Sequence, residues 1–254
     1  VRGFSLIELS IVLVILGLLT GGILAGQSLI RASELRSVSA EFQRYSAAAY
    51  TFRDKYFGLP GDLTNATAFW GKDNTNCSGH SGNVGTPGTC NGNGNGQLND
   101  GSGATVPGEQ FGYWQQLALA GLIEGTYSGL TGSGGGFDST IGSNVPRSKI
   151  SNTGWSVRWI GYNGDAANAY YYVRNYGNVL YFGRETPSAE TADDTLKPEE
   201  AWNIDTKMDD GKPNTGKITS FKRSNSYTPN CVNAATEYDL LLSSVECSLL
   251  VSDG

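Results

Sequence analysis

Histidine is almost missing from this chain, with His80 the one example in 254 residues. No H-E-x-x-H, no G-x-S-x-G and no phosphate-binding glycine loop ending in Lys occurs either, so nothing in the sequence points to zinc-protease, serine-hydrolase or nucleotide-dependent chemistry. The sequence reads as that of a non-enzyme. The adjacent carboxylates Glu199 and Glu200, and Asp209 and Asp210, are neighbours rather than convergent, and read as solvated charges at helix ends. Charge itself is scarce: Asp, Glu, Lys and Arg make up 17% of the chain, against roughly 25% in ordinary soluble domains. What charge there is sums to −6, which repels phosphate backbones and argues against a large nucleic-acid surface. Closely spaced C-x-x-C pairs are also lacking, and with one histidine this disfavours zinc.

Glycine, by contrast, is plentiful at 35 residues, about twice the usual share of around 7%. That surplus predicts turn-rich, polar loops around a modest core. The length allows one compact domain plus one long extra element.

The extra element is at the N-terminus. Residues 9–30 carry no charge and are rich in Leu, Ile and Val, and about 20 such residues suffice for a helix to span a bilayer. Beyond Arg31 the apolar residues Leu35, Val38, Phe42, Tyr45, Ala49, Phe52 and Tyr56 alternate in steps of three and four, one stripe of a helix. The pattern predicts one unbroken helix to Phe57, stopped by Leu59-Pro60-Gly61, a rod of roughly 80 Å. An ordinary secretory signal has a shorter apolar core with a small-residue cleavage site after it, and this run does not fit that form. Glu8 stands at the head of the apolar face, where an acidic group costs about 2.5 kcal/mol or more at the bilayer centre and less near its edge. From the physics alone it is either an interfacial charge reaching the headgroups or a group that requires a buried partner.

The segment Gly3-Phe4-Ser5-Leu6-Ile7-Glu8-Leu9 resembles the processing site of type IV prepilins and of the related pseudopilins of type II secretion. The resemblance implies cleavage by a prepilin peptidase after Gly3, with Arg2 giving basic leader character and Phe4 becoming an N-methylated terminus. It also implies that Glu8 neutralises the terminal amine of a neighbouring subunit in a homo-oligomeric helical filament, a pairing that would fix register between helices. The implied life history is a bacterial inner-membrane precursor, with Arg2 on the cytoplasmic side, extracted by assembly machinery into an extracellular pilus. A pseudopilin would instead stay periplasmic, and a minor or tip pilin would carry an adhesive head. Gly17 with Gly21, and Gly22 with Gly26, form small-xxx-small spacings that let helices approach closely. The same glycines weaken the helix by about 1 kcal/mol each relative to Ala, so local melting during extraction is the second reading. Many relatives place a proline near Ala25, and this chain has none.

The expected organisation is a leader remnant at 1–3, a membrane and filament-core helix at 4–30, its amphipathic continuation at 31–58, and a head at 59–254. The fold class is α+β, a long N-terminal helix plus a pilin-like head with an antiparallel sheet and large loops. Within the head, Asp62 is placed to cap a short helix ending at Trp70. Residues 109–122 read as a helix with Phe111, Trp114 and Ala118 on one stripe, and Trp155, Val157 and Trp159 alternate as a half-buried strand. Residues 170–176 and 179–182 flank Gly177-Asn178 as a hairpin, and a helix begins at Pro198 and ends before Gly211. In an exported chain the sequence-local pairs Cys77 with Cys90 and Cys231 with Cys247 predict disulfides, each contributing about 3 kcal/mol in the chain-entropy model.

The segment from Asn91 to Asn99 alternates oxygen side chains with glycine, as a calcium loop does. Asn91, Asn93 and Asn95 stand where carboxylates are usual, leaving Asp100 as the one carboxylate. Two readings follow, a weak calcium site and a plain Gly/Asn surface loop, and the neutral ligand set favours the loop. No other cofactor is expected. The aromatic residues, 13 Tyr, 9 Phe and 5 Trp, fall mostly at core spacings, with the run from Tyr170 to Tyr172 the place to look for an exposed ring.

Overall fold

The computed structural model describes residues 5–73, 77, 88–98, 108–166, 168, 170–221, 231–233 and 235–252. Helix α1 spans Leu6–Tyr56, about 77 Å of rod. It starts where Ser5 can serve both ends of a reciprocal cap: the Ser5 hydroxyl accepts from the Ile7 N–H at 3.3 Å, and the Glu8 carboxylate accepts from the Ser5 N–H at 2.8 Å, satisfying two N–H groups that have no partner inside the helix. It stops at Phe57, which turns into the left-handed region (φ 58°) while its N–H still bonds the Arg53 carbonyl.

Three shorter helices follow, α2 (Ala66–Trp70), α3 (Glu109–Leu119) and α4 (Pro198–Met208), with strands β1 (Thr153–Trp159), β2 (Tyr162–Asn163), β3 (Arg174–Asn175), β4 (Asn178–Arg184), β5 (Ile218–Ser220) and β6 (Leu249–Ser252). The main sheet is wholly antiparallel in the order β1-β4-β6-β5, with Trp155 opposite Phe182 and Leu180 opposite Val251. A long helix plus an antiparallel-sheet head, the α+β class, is what the chain forms.

The core lies between α1, α3, α4 and one face of the sheet. Val38, Glu41, Tyr45, Ala48, Ala49 and Phe52 are the buried stripe of α1, and Leu35, Phe42 and Tyr56 pack beside it partly buried. The Tyr45 ring is 5.0 Å from Trp114 of α3 and 5.9 Å from Trp155 of β1, both edge-on, and Trp155 lies 4.7 Å from Phe182. Such aromatic pairs contribute about 0.5–1.5 kcal/mol each beyond area burial.

Four local expectations are corrected by the tertiary structure. Strand β1 is not half-buried: Tyr181, Val179, Leu250 and Phe221 cover the second face of the sheet, so Ser156 is enclosed and exchanges hydrogen bonds with Thr191. The hairpin at Gly177-Asn178 does not form. Strand β4 pairs instead with β1, Asn178 opposite Trp159, while β2 and β3 make a separate ribbon in the connection; Gly177, at φ 62°, is the pivot whose carbonyl accepts from the Ile160 N–H at 3.0 Å. Helix α3 ends at Leu119 rather than at 122, because Gly121 (φ 70°) closes it with the 118 and 117 carbonyls accepting from the 121 and 122 N–H groups, a Schellman stop. Finally, Asp62 caps no helix, since α2 begins after Asn65. Its carboxylate is turned to the Asn/Gly loop described below. Helix α4 has the bounds its Pro198 and Gly211 suggest, with Ala201 and Ile204 buried.

Candidate functional site

The candidate site is the free end of α1. Residues 5–30 are exposed throughout, apart from a half-buried Gly26; Leu6, Leu18 and Leu29 stand 86%, 73% and 71% open. The hydroxyls of Ser10, Thr20 and Ser28 are turned back into the helix. Ser10 donates to the Ile7 carbonyl at 2.8 Å, Thr20 to that of Leu16 at 2.9 Å and Ser28 to that of Ala25 at 2.8 Å. A surface of this kind offers hydrocarbon almost alone, and by length and composition it can cross a membrane. Gln27 and Glu8 are the exceptions, and the Glu8 carboxylate accepts from the Ser5 N–H at the helix start.

Gly17, Gly21, Gly22 and Gly26 lie within the unbroken helix, and a Cβ placed on any of them would meet nothing within 4 Å. Their missing side chains are therefore not explained by packing against the described residues of the chain. The helix is continuous through all four, so this state shows no melted segment. Gly3 and Phe4 lie outside the described residues.

Where the apolar half ends, the head takes hold. The Arg31 guanidinium bonds both Glu200 oxygens at 2.6 Å, Glu34 at 3.2 Å and the Thr195 carbonyl at 3.2 Å. Burial works to raise the Glu200 carboxyl, but the hydrogen bonds from Arg31 and from the Lys197 N–H outweigh it and hold the group below the usual range. The reading of Glu199 and Glu200 as a solvated pair is thus corrected for Glu200, which is buried at the foot of α4. Higher on α1, Glu41 is buried at 7% exposure, its two oxygens accepting from the Trp155 indole N–H at 2.8 Å and the Lys149 N–H at 3.0 Å. Arg31 and Glu41 carry no expectation of a buried partner in the sequence. The available signals were the placement of Glu41 between Val38 and Tyr45 at helical spacing, and of Arg31 as the first charge after the apolar run.

Another buried carboxylate is Asp205 on α4. It accepts from the Tyr238 hydroxyl at 2.8 Å and the Gly211 N–H at 3.1 Å, and burial, reinforced by Asp210 and Asp209, pushes it up to about 7. Asp209 accepts from the Lys217 and Ile218 N–H groups, and Asp210 from the Lys212 N–H and the Thr215 hydroxyl. These three acids have ligand atoms within 4.8 Å of one another, but each already serves as an acceptor that fastens the end of α4 to the chain around it.

In the Asn/Gly loop, the Asn91, Asn93 and Asn95 side-chain oxygens accept from the N–H groups of Thr67, Asn95 and Gln97 at 2.8–2.9 Å. The N–H groups of Gly94, Asn95 and Gly96 point at Asp62. The loop thus wraps an internal carboxylate with its donors, and its oxygens are turned to backbone. Asp100 lies outside the described residues. Cys77 is bonded to Cys90 and Cys231 to Cys247, with Cα–Cα distances of 5.5 and 5.1 Å.

Comparison with known proteins adds one finding at the same end of the chain. Residues 1–24 match the family model of the prokaryotic N-terminal methylation motif, the prepilin motif of type IV pilins and pseudopilins. Neither a curated protein nor a solved structure matches the chain.

Proposed function

We propose that this chain is the structural subunit of an extracellular type IV pilus-like filament, polymerising through α1. The observation that carries the reading is the coincidence of two features at one end: the methylation motif over residues 1–24, and an apolar half-helix wholly outside the head. A surface of exposed Leu, Ile and Val is stable in lipid or against like helices, and not in water. The precursor resides in the bacterial inner membrane, is cut after Gly3 by prepilin peptidase, gains an N-methylated Phe4, and is drawn by the assembly machinery into a helical array. Gly17, Gly21, Gly22 and Gly26 then permit close approach between helices.

Glu8 supplies the register. Its carboxylate holds the Ser5 N–H in the single chain; in the filament it neutralises the terminal amine of a neighbour, because two buried opposite charges each require a partner. Glu8→Ala is expected to leave cleavage intact and abolish filaments, read by mass spectrometry of the N-terminus and electron microscopy of the sheared surface fraction. Normal filaments from that variant would remove the pairing role. The same fraction separates the neighbouring roles: a pilin dominates it, a minor or tip pilin with an adhesive head is scarce in it, and a type II secretion pseudopilin stays in the periplasm.

A further inference from the structure

Among the apolar side chains that the head leaves outside its core is a group on one short loop. Between the buried residues Tyr238 and Cys247, Leu240, Leu241 and Val245 are 51%, 96% and 44% exposed, and Leu241 is the most exposed large apolar side chain among the described residues. The loop is held in shape: the Leu241 N–H donates to the Asp239 carboxylate at 3.2 Å, the Leu242 N–H to the Asp239 carbonyl at 3.1 Å, and the Cys231–Cys247 disulfide closes its base. Ordered, exposed leucines of this kind mark a contact surface.

Its place in the fold says what it meets. The Glu246 and Cys247 N–H groups donate to the Leu196 carbonyl at 3.0 and 2.9 Å. Leu196 follows Thr195, whose carbonyl accepts from Arg31, and precedes the first turn of α4, where Glu200 holds the same guanidinium. The foot of the loop and the first charge beyond the apolar half of α1 are therefore fastened to one clamp. Residues 6–30 measure about 37 Å as a helix, longer than the roughly 30 Å hydrocarbon layer, which puts Arg31 at headgroup level. We infer that Leu240, Leu241 and Val245 enter the headgroup zone of the membrane that α1 crosses, so that the head rests on the bilayer on an apolar foot beside its helix. The inference rests on the reading of α1 as a membrane-spanning helix. Asp239 and Glu246 flank the foot, and the chain is acidic overall, so the matching surface is zwitterionic phospholipid and anionic lipid adds nothing.

The test uses the full chain in phosphatidylcholine vesicles with an environment-sensitive fluorophore on a single new thiol, the native cysteines being paired. The sites are Leu241→Cys on the foot, Leu19→Cys in the apolar helix, and Tyr162→Cys beyond the far end of β1. We expect the 241 probe to shift blue and lose emission to a headgroup-level nitroxide lipid, the 19 probe to be quenched by a nitroxide deep in the acyl chains, and the 162 probe by neither. If 241 behaves as 162 does while 19 is quenched, the foot is overturned and the spanning helix stands. If 19 is not quenched, the spanning reading falls and the foot with it. A 241 probe that ignores both nitroxides but shifts as protein per vesicle rises would identify a second copy of this chain as the partner and overturn the lipid assignment. Strengthened quenching on adding phosphatidylglycerol would overturn the zwitterionic preference.

Discussion

The two halves of α1 share one backbone and differ in everything their side chains do. Residues 31–56 turn a stripe of Val38, Glu41, Tyr45 and Phe52 into the head and leave polar residues outside; residues 6–30 turn no side chain inward, because none of the described residues of the head lies beside them. In the first case the partners of each buried group can be named within the chain. In the second they must come from outside it. The practical lesson is that substitutions in the two halves should separate stability from assembly.

The largest expected effect is at Phe52, which is fully buried against Tyr56 and Trp70. Phe52→Ala should cost the head about 3–5 kcal/mol, seen as a large fall in melting temperature by circular dichroism of the full chain in detergent. Leu19→Ala, an equally apolar truncation in the other half, should change head melting by no more than about 0.5 kcal/mol. Equal losses from the two would break the division of labour. Next in size is Glu41→Ala, which leaves the Trp155 indole N–H and the Lys149 N–H without their acceptor and should cost about 1–3 kcal/mol; an unchanged melting temperature would mean that water replaces the carboxylate.

The remaining effect is a slope. Asp205 sits near 7 in the folded chain against an ordinary carboxyl value of 3.8, so between these values the folded state holds a proton that the unfolded state has lost. Its contribution to stability is therefore complete below the unfolded value and is lost as pH rises through about 7. Glu200 has the opposite sign, being held below its ordinary value of 4.5, and its contribution is lost only in more acidic solution. Melting measured between pH 5 and pH 8 should thus fall with pH, and Asp205→Asn should flatten the fall. Because Asp205 is on α4 and not on α1, the slope should be the same with or without an intact apolar half.

The contrast within α1 was readable from sequence because both halves announce themselves by composition and period, a charge-free run and then a stripe at helical spacing. Helix α4 was readable for the same reason, aided by Pro198 and Gly211. What failed to show were effects of distance. Ser156 looks like the outward residue of a half-buried strand, and only the second hydrophobic layer around Tyr181 and Phe221 encloses it. Gly177-Asn178 has the residues of a tight hairpin, yet β4 finds its partner across the connection in β1. Glu200 looks like one of two solvent-facing acids until Arg31, far away in sequence, is folded onto it. At the candidate site, Glu8 and the glycines stood out by chemistry and spacing, whereas the clamp at Arg31 required the tertiary fold.

That clamp has a mechanical meaning. Arg31 on Glu200, Glu41 on Trp155, Tyr45 between two tryptophans and Phe52 against Trp70 are spaced along about 32 Å of one helix, all on the side that faces the head. A pull along the axis of α1 does not peel these contacts one at a time. It loads them in shear and in parallel, so the head slips only if they yield together, and tension arriving through the apolar half is shared across the whole seam.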